Sequence, residues 1–323
     1  MNEHLKTLCD TVSSNFQDAS AFYKIEYKSA FAAYAVTNAD RKYTPDKIEE
    51  AKQLVKESLA KNYSFGSGAP RLAVLSKVLR SDDPAGTLEI IKRDYDLMSK
   101  IFSANAFTAA LATFLADYQG DITSLAAKAT DLLKIMRKRH PLLGVSSTDH
   151  PIIALMSMSD KSADEMIGES DIIFESLKKD FKFDKENAYI ISYLLSASGD
   201  PAEWKLKSAA ALREELKEQK IKFSSYSSVS MLAPLTAASM RTDRSVIVND
   251  IAEADKYLAE QKGIGGVFGL SESIRHMLAA SCVLKALGED NGAFSECECL
   301  TVMSCQAQIK SEQDSAATTT TMM

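Results

Sequence analysis

Two histidines and a carboxylate lie near the middle of the chain, as His140, Asp149 and His150. Imidazole nitrogens beside a carboxylate could hold a divalent metal ion or carry out acid–base chemistry. Helix ends also explain these residues, because His140 closes a basic helix terminus and Asp149 suits the N-cap of the next helix. The two histidines are not one helical turn apart, as zinc ligands often are. We therefore keep the three residues as a candidate ligand or partner surface, and we predict no catalytic or metal-binding role for them.

A glycine-rich run at 263–269 could cradle a phosphate group. A dinucleotide-binding loop would follow a strand, whereas this run follows a charged helical segment, and Phe268 stands in place of the third glycine. The run is more typical of a helix stop with positive φ and a turn between units. We keep Gly263, Gly265 and Gly266 as part of the candidate ligand or partner surface.

The cysteines are odd in number, at five, which does not suggest a disulfide framework and favours a reducing cytoplasm. Four of them lie near the carboxyl terminus, as Cys282, Cys297, Cys299 and Cys305. Their spacing is irregular for zinc, and cysteine also packs well as a small hydrophobe. We predict no cofactor, and the sequence leaves open whether these four residues bind metal.

The overall charge bears on which partners the chain could bind. The net charge is −6 with a pI of about 5.4, and no basic domain is visible, so we predict no nucleic-acid partner. One basic cluster, Lys134 with Arg137–Arg139, occupies a predicted helix end, where positive charge is favourable. No signal-like apolar segment and no apolar run of the roughly 20 residues needed to cross a bilayer is present. The sequence therefore predicts no membrane association.

Helices are the elements that must position these residues. Alanine, leucine, lysine and glutamate recur at helical spacing, while alternating β-type runs with tight hairpin turns are missing. Residues 203–219, for example, carry an apolar stripe opposite a charged face. The pattern predicts an all-α protein.

Helical segments rich in small residues recur roughly forty residues apart. They are centred on Tyr34, Leu75, Leu111, Leu155, Leu194, Leu235 and Leu278. A short polar connection, such as 199–201 or 241–243, follows each of them and leads into a longer charged helix. We predict an α-solenoid-like array of about six to seven helix pairs in which each unit contacts only its neighbours.

The array predicts three parts of the chain. Residues 1–62 form an amino-terminal helical cap, 63–288 form the helix-pair array, and 289–323 form a helix with a disordered polar tail. Trp204 begins a charged helix, and we assign it to core packing.

Two segments stand out as motifs, namely "RKRHPLLGVSSTDHP" at 137–151 and "YLAEQKGIGGVFGLSESIRHMLAA" at 257–280. They resemble the DUF4003 family of bacterial proteins of unknown function, and the resemblance spans about residues 20–290. The family segment reads His-Pro-aromatic-Leu-Thr, and here Leu142 and Gly144 replace the aromatic residue and the threonine. The resemblance implies a bacterial cytoplasmic protein, and it brings no catalytic residues with it.

The sequence carries no Gly-x-Ser-x-Gly, His-Glu-x-x-His or Walker motif. Its repeats favour a scaffold that binds a protein or peptide on a concave surface, with an oligomeric state that the sequence does not define. The alternative is a small-ligand sensor or an enzyme whose site lies at the turns 140–151 and 263–269, which would then converge on one pocket. Enzymatic activity is the less favoured of these hypotheses.

Overall fold

The computed structural model of the chain describes residues 1–66, 68–139, 146–223, 228–288 and 293–321. These ranges form fifteen α-helices and two short 3₁₀ turns and contain no β-strand, which confirms the predicted all-α class. The helices are α1 (Glu3–Phe22), α2 (Lys28–Thr37), α3 (Pro45–Leu59), α4 (Gly68–Arg80), α5 (Pro84–Met98), α6 (Ala106–Leu115), α7 (Ile122–Arg139), α8 (His150–Ser157), α9 (Ala163–Lys179), α10 (Lys185–Ser196), α11 (Ala202–Glu218), α12 (Leu232–Ala238), α13 (Arg244–Ala259), α14 (Glu272–Ala286) and α15 (Ala293–Thr321).

Local chemistry fixes where several helices begin. The Thr44 hydroxyl accepts an amide hydrogen of the first turn of α3, and Pro45 occupies the first helical position. Asp83 and Pro84 play the same two roles at the start of α5. These side chains satisfy amide groups that have no partner inside the helix, so the short connections end where the sequence predicts.

The seven even-numbered helices from α2 to α14 form a closed ring. Each packs against the next, and α14 packs against α2 again. In α2 every residue from Ser29 to Thr37 is buried, and four of these are alanines, which allow neighbouring helices to approach closely. The residues that mark the forty-residue spacing all lie in this inner layer, from Tyr34 in α2 to Leu278 in α14.

The odd-numbered helices from α1 to α13 form an outer layer. Each packs on the even-numbered helix that follows it, and α13 also packs on α1. Helix α3 shows the pattern, because its buried residues Ile48, Ala51, Val55 and Leu59 form one stripe and its charged residues face outward. An amphipathic outer helix therefore covers each inner helix.

Helix α15 runs through the middle of the ring. It packs against six of the seven inner helices, namely α2, α4, α6, α8, α12 and α14, and residues 299–306 are all buried. More than two consecutive turns buried on every side require protein on every side. The predicted open array, in which each unit contacts only its neighbours, is therefore not confirmed. The helix continues to Thr321, through the segment for which the sequence predicted a disordered tail, and residues 310–317 are exposed.

Polar contacts join the first and last parts of the ring. The Lys28 ammonium group donates to the carbonyl oxygen of Phe268, and the Tyr257 hydroxyl donates to Asp10. At the opposite end of the same helices, the Lys285 ammonium lies 3.7 Å from an oxygen of Asp40. These contacts span about 240 residues of sequence and close the ring between α14 and α2.

All seven inner helices end on the same side of the ring, which we call the carboxyl rim. Arg80 at the end of α4 donates to the carbonyl oxygen of Thr37 at the end of α2. Ser159, just after α8, donates to the carbonyl oxygen of Ala197, just after α10. The first turns of α15 lie at this rim, because the Lys285 ammonium sits 4.6 Å from the ring centre of Phe294.

Candidate functional site

His150 is buried rather than open to a ligand. The His150 ring stacks on Phe102, with ring centres 4.5 Å apart, and burial lowers the pKa of His150 to about 4, with a smaller contribution from Arg137. The imidazole is therefore neutral at physiological pH. Asp149 is also buried, and it accepts hydrogen bonds from the Ser146 amide (2.7 Å) and hydroxyl (3.0 Å). Asp149 holds the N-cap position of α8 without making a side-chain hydrogen bond to that helix. His140 lies outside the described residues.

The glycine segment forms a tight turn between α13 and α14. Gly263 and Gly266 have φ of +83° and +79°, in the left-handed region that glycine adopts without strain. A Cβ on Gly265 would lie 1.7 Å from the carbonyl oxygen of Ala259, so only glycine fits there. The turn holds Val267 and Phe268 at its tip, where they are 95% and 85% exposed.

The two segments occupy different places on the ring. One precedes α8 and the other precedes α14, and these helices are separated by α10 and α12 on one side and by α2, α4 and α6 on the other. The described parts of the two segments, 146–151 and 263–269, therefore lie beside inner helices that are not neighbours in the ring.

The five cysteines are free and buried. Burial raises the pKa of Cys297 and of Cys305 to about 12, so both are thiols at neutral pH. Among the residues that the structure describes, no three histidine, cysteine, aspartate or glutamate side chains are grouped so as to hold a metal ion. The cysteines of α15 pack against the inner helices as small apolar side chains.

A cleft of about 480 Å³ opens at the carboxyl rim, where α8, α10 and α12 end beside the first turn of α15. We call it the rim cleft. Its polar lining comes mainly from the connections between inner and outer helices. It is lined by Leu155, Met158, Ser159, Leu194, Leu195, Ala197, Ser198, Asp200, Trp204, Lys205, Ala233, Thr236, Ala237, Met240, Arg241 and Glu296. Apolar and polar side chains share its surface, and the charged ones come from α11, α15 and the connections that follow α10 and α12.

Lys205 anchors one wall of the rim cleft. Its side chain is 1% exposed, and its ammonium group donates to the carbonyl oxygens of Leu195 (2.7 Å) and Ser198 (3.1 Å) at the end of α10. Its third contact is an ion pair with Glu169 of α9. Burial lowers the pKa of Lys205, and Glu169 opposes that shift. Two carbonyl oxygens and the Glu169 carboxylate surround the ammonium group, so Lys205 caps α10 and holds the wall in place.

Lys161 completes this support. It also pairs with Glu169 and donates to the carbonyl oxygen of Ser196 (3.0 Å). A single carboxylate thus links two lysines that satisfy the last carbonyl groups of α10, which otherwise have no partner inside the helix. Ion pairs and hydrogen bonds therefore hold this wall of the cleft in place.

Glu296 and Asp200 present carboxylates to the rim cleft. The Glu296 side chain is exposed to solvent at the cleft. Protein atoms packed around it displace part of the water and raise its pKa. Neither carboxylate has a hydrogen bond or an ion pair with any other described residue. The connection between α10 and α11 and the first turn of α15 therefore place unpaired negative charge at one cavity.

Sequence reasoning missed this cleft because each of its residues has an ordinary local explanation. Asp200 and Arg241 stand in the short polar connections, and Trp204 begins an outer helix and was assigned to the core. Trp204 is in fact partly exposed at the cleft. The available signal was the position of charged residues in successive connections of the repeat, next to the only tryptophan of the chain.

The structure thus defines an all-α protein in which two layers of helices surround a central helix and one end carries an open cleft. The model of the family described as "Protein of unknown function (DUF4003)" matches residues 15–313, and the chain belongs to this family. The resemblance seen in the sequence is therefore confirmed. Searches of curated proteins and of solved structures found no match to the chain. Among the described helices, none combines the length and the apolar character needed to cross a membrane.

Proposed function

We propose that the protein binds a small organic molecule in the rim cleft, as a sensor or carrier. The observation that supports this most directly is the cleft itself, about 480 Å³ in volume, in which apolar side chains are combined with unpaired carboxylates. Sites for small molecules in proteins have volumes of roughly 300–1,000 Å³ and combine apolar walls with a few fixed polar groups.

Lys205 favours binding over covalent chemistry at this site. A lysine that acts as a nucleophile must present a free amine to the substrate. Here the ammonium group is buried, donates to two carbonyl oxygens and is paired with Glu169. The role of Lys205 in the proposal is to keep the wall of the cleft rigid.

Trp204 provides the test, because it is the only tryptophan in the chain and it lines the cleft. We expect saturable changes of tryptophan emission when compounds from neutral, cationic and anionic classes are titrated up to about 1 mM. Ala237→Phe should abolish these changes, because Ala237 lines the cleft and a phenyl ring there would fill it.

Ala60→Phe is the matched control, since Ala60 is exposed just after α3 and away from the rim cleft. It should bind like the unsubstituted chain. If no class of compound gives a saturable change, or if Ala237→Phe binds as well as Ala60→Phe, the protein does not use the cleft for ligands.

A second candidate function is the binding of a protein or peptide partner, for which the exposed tip of the glycine turn gives specific support. Val267 and Phe268 are both more than four-fifths exposed, and large apolar side chains held in water often mark interaction sites. Phe268→Ser should then weaken partner capture, whereas Ile172→Ser, at an exposed apolar residue of α9, should not. Equal capture by both variants would contradict this role.

We also propose that each inner helix and its outer partner descend from one repeated unit of about forty residues. The regular alternation of the two layers supports this history. The five free cysteines support a reducing cytoplasm as the compartment of the protein.

A further inference from the structure

We infer that the rim cleft selects an organic cation, namely an amine or quaternary ammonium compound with a compact apolar body. This inference rests on the proposed ligand-binding function and adds the chemical class of the ligand.

The first support is the balance of charges that remain available in the cleft. The lysine charges beside it are already engaged, because Lys205 and Lys161 both contact Glu169 and the last carbonyl groups of α10. Arg241 likewise has an interaction within the protein. Asp200 and Glu296 have none with any described residue. Asp200 and Glu296 are therefore the charged groups of the lining that remain without a partner for a ligand to meet.

The placement of the two carboxylates is the second support. Asp200 comes from the connection between α10 and α11, and Glu296 comes from the first turn of α15. They reach the same cleft from separate elements. A positive group bound between the two elements would be attracted by both carboxylates.

Trp204 is the third support. Its ring is partly exposed at the cleft, and no described lysine or arginine stacks on it. Indole is the best partner for cations among aromatic side chains, and protein sites for ammonium groups commonly pair an aromatic face with a carboxylate. An anion at this position would meet two carboxylates and the negative face of the ring.

The apolar residues of the lining indicate what the uncharged part of the ligand should be. Leu155, Leu194, Met158 and Met240 supply apolar surface from three helix ends. Methionine side chains adapt to ligands of different shape. A compact apolar group on the cation would therefore be covered while its charge faces Asp200 and Glu296.

The experiment uses three probes of nearly the same shape and different charge: cyclohexylmethylammonium, cyclohexylmethanol and cyclohexanecarboxylate. Trp204 emission is followed with the full-length protein at pH 7.5 and low salt. We expect the ammonium probe to bind about tenfold or more tightly than the alcohol, and the carboxylate to bind most weakly.

Glu296→Gln and Asp200→Asn then test which groups recognise the charge. Each should weaken binding of the ammonium probe by about tenfold and leave the alcohol within about twofold, because only the charge is removed. Glu312→Gln is the matched control, since Glu312 is an exposed carboxylate on the same helix, away from the cleft.

The outcomes distinguish the inference about cations from the proposed binding of ligands in the cleft. If the carboxylate or alcohol probe binds as tightly as the ammonium probe, the cation inference is wrong and ligand binding in the cleft stands. Equal loss of all three probes in Glu296→Gln would also contradict it, because such a loss would indicate altered cleft shape. If no probe of any charge binds, the cleft is not a ligand site and both proposals fail.

Discussion

The two halves of the carboxyl rim differ in whether their charged side chains are paired. Where α2, α4, α6 and α14 end, basic side chains meet acidic ones: Lys77 with Asp117, Arg80 with Asp40 at 2.8 Å, and Lys285 with the same Asp40 at 3.7 Å. We call this the closed half. Where α8, α10 and α12 end, which we call the open half, the rim cleft leaves Asp200 and Glu296 without partners in the described chain.

The contrast separates structural charges from available ones. The closed half links helix ends that are distant in sequence, so its charges help to complete the ring. The inner helices of the open half also end at the rim. The contacts of the buried Lys205 hold α10 in place. The unpaired charges of the open half are the ones that the proposed ligand binding would use.

The largest expected effect is that of Lys205→Met. The substitution leaves Glu169 partly buried with one lysine fewer and removes two hydrogen bonds to carbonyl groups of α10. We expect a loss of about 3–5 kcal/mol in the free energy of unfolding, measured by urea denaturation.

Lys207→Met is the control, because Lys207 is 70% exposed only two residues away and pairs with Glu203 on the surface. It should change the free energy of unfolding by less than about 0.5 kcal/mol. Similar losses for the two variants would mean that the open half does not depend on its buried lysine.

Arg80→Met tests the closed half. Arg80 is 23% exposed and donates to both Asp40 and the carbonyl oxygen of Thr37. We expect a loss of about 1–2 kcal/mol in the free energy of unfolding, because these contacts join two helix ends. Arg71→Met, at an exposed position of α4, should cost less than about 0.5 kcal/mol. Equal costs would remove the structural distinction between the halves.

Glu298, on the first turns of α15, should make the stability depend on pH. Burial raises its pKa from an ordinary 4.5 to about 7, although Lys77 and Arg80 oppose the shift. The folded protein therefore holds this proton more tightly than the unfolded chain does. The resulting stabilisation is fully present below about pH 4.5 and is lost as the pH rises through about 7.

Glu298→Gln should remove this dependence. Relative to the unsubstituted protein, it should gain about 1–2 kcal/mol at pH 8 and nothing at pH 4, as measured by urea midpoints across that range. Glu312→Gln, at an exposed carboxylate farther along α15, should leave the pH profile unchanged. Parallel profiles for the two variants would show that Glu298 is well solvated.

The smallest effect is expected for Glu296→Gln and Asp200→Asn. Neither carboxylate has a described partner, so each variant should keep the free energy of unfolding within about 0.5 kcal/mol. Thermal and urea denaturation would measure this directly. A loss of 1 kcal/mol or more would assign these carboxylates to the fold and would make the open half resemble the closed one.

Much of the fold could be predicted from the sequence, because its strongest signals are local. Periodic apolar positions identify the helices, and Thr44 with Pro45 or Asp83 with Pro84 fix where two of them begin. The regular recurrence from Tyr34 to Leu278 also singled out the helices that form the inner layer. Each of these features depends on residues within a few positions of one another.

Closure of the ring and the place of α15 could not be obtained in this way. A periodic pattern shows which face of a helix is buried but not what covers it. Residues 297–306 include cysteines, Thr301, Ser304 and Gln306, which suit a crowded centre but give no amphipathic stripe. His150 shows the same limit, since its burial depends on stacking against Phe102 from a different unit.

The candidate site was the least predictable part, because its residues meet only after the helix ends are placed in space. Asp200, Trp204 and Glu296 are ordinary residues in their own segments. The histidine and glycine turns attracted attention through residue type alone, and the structure gives them packing and turn-forming roles.

The central position of α15 has a consequence for the order in which the chain can be assembled during synthesis. The segment that fills the ring is translated after the helices that surround it, so the apolar inner faces of α2 to α14 leave the ribosome before their partner exists. Contacts between distant parts of a chain form slowly, and exposed apolar surface in the interval invites aggregation. The nascent protein must therefore wait for α15, and a ribosome stalled before residue 293 would hold a ring without its central helix.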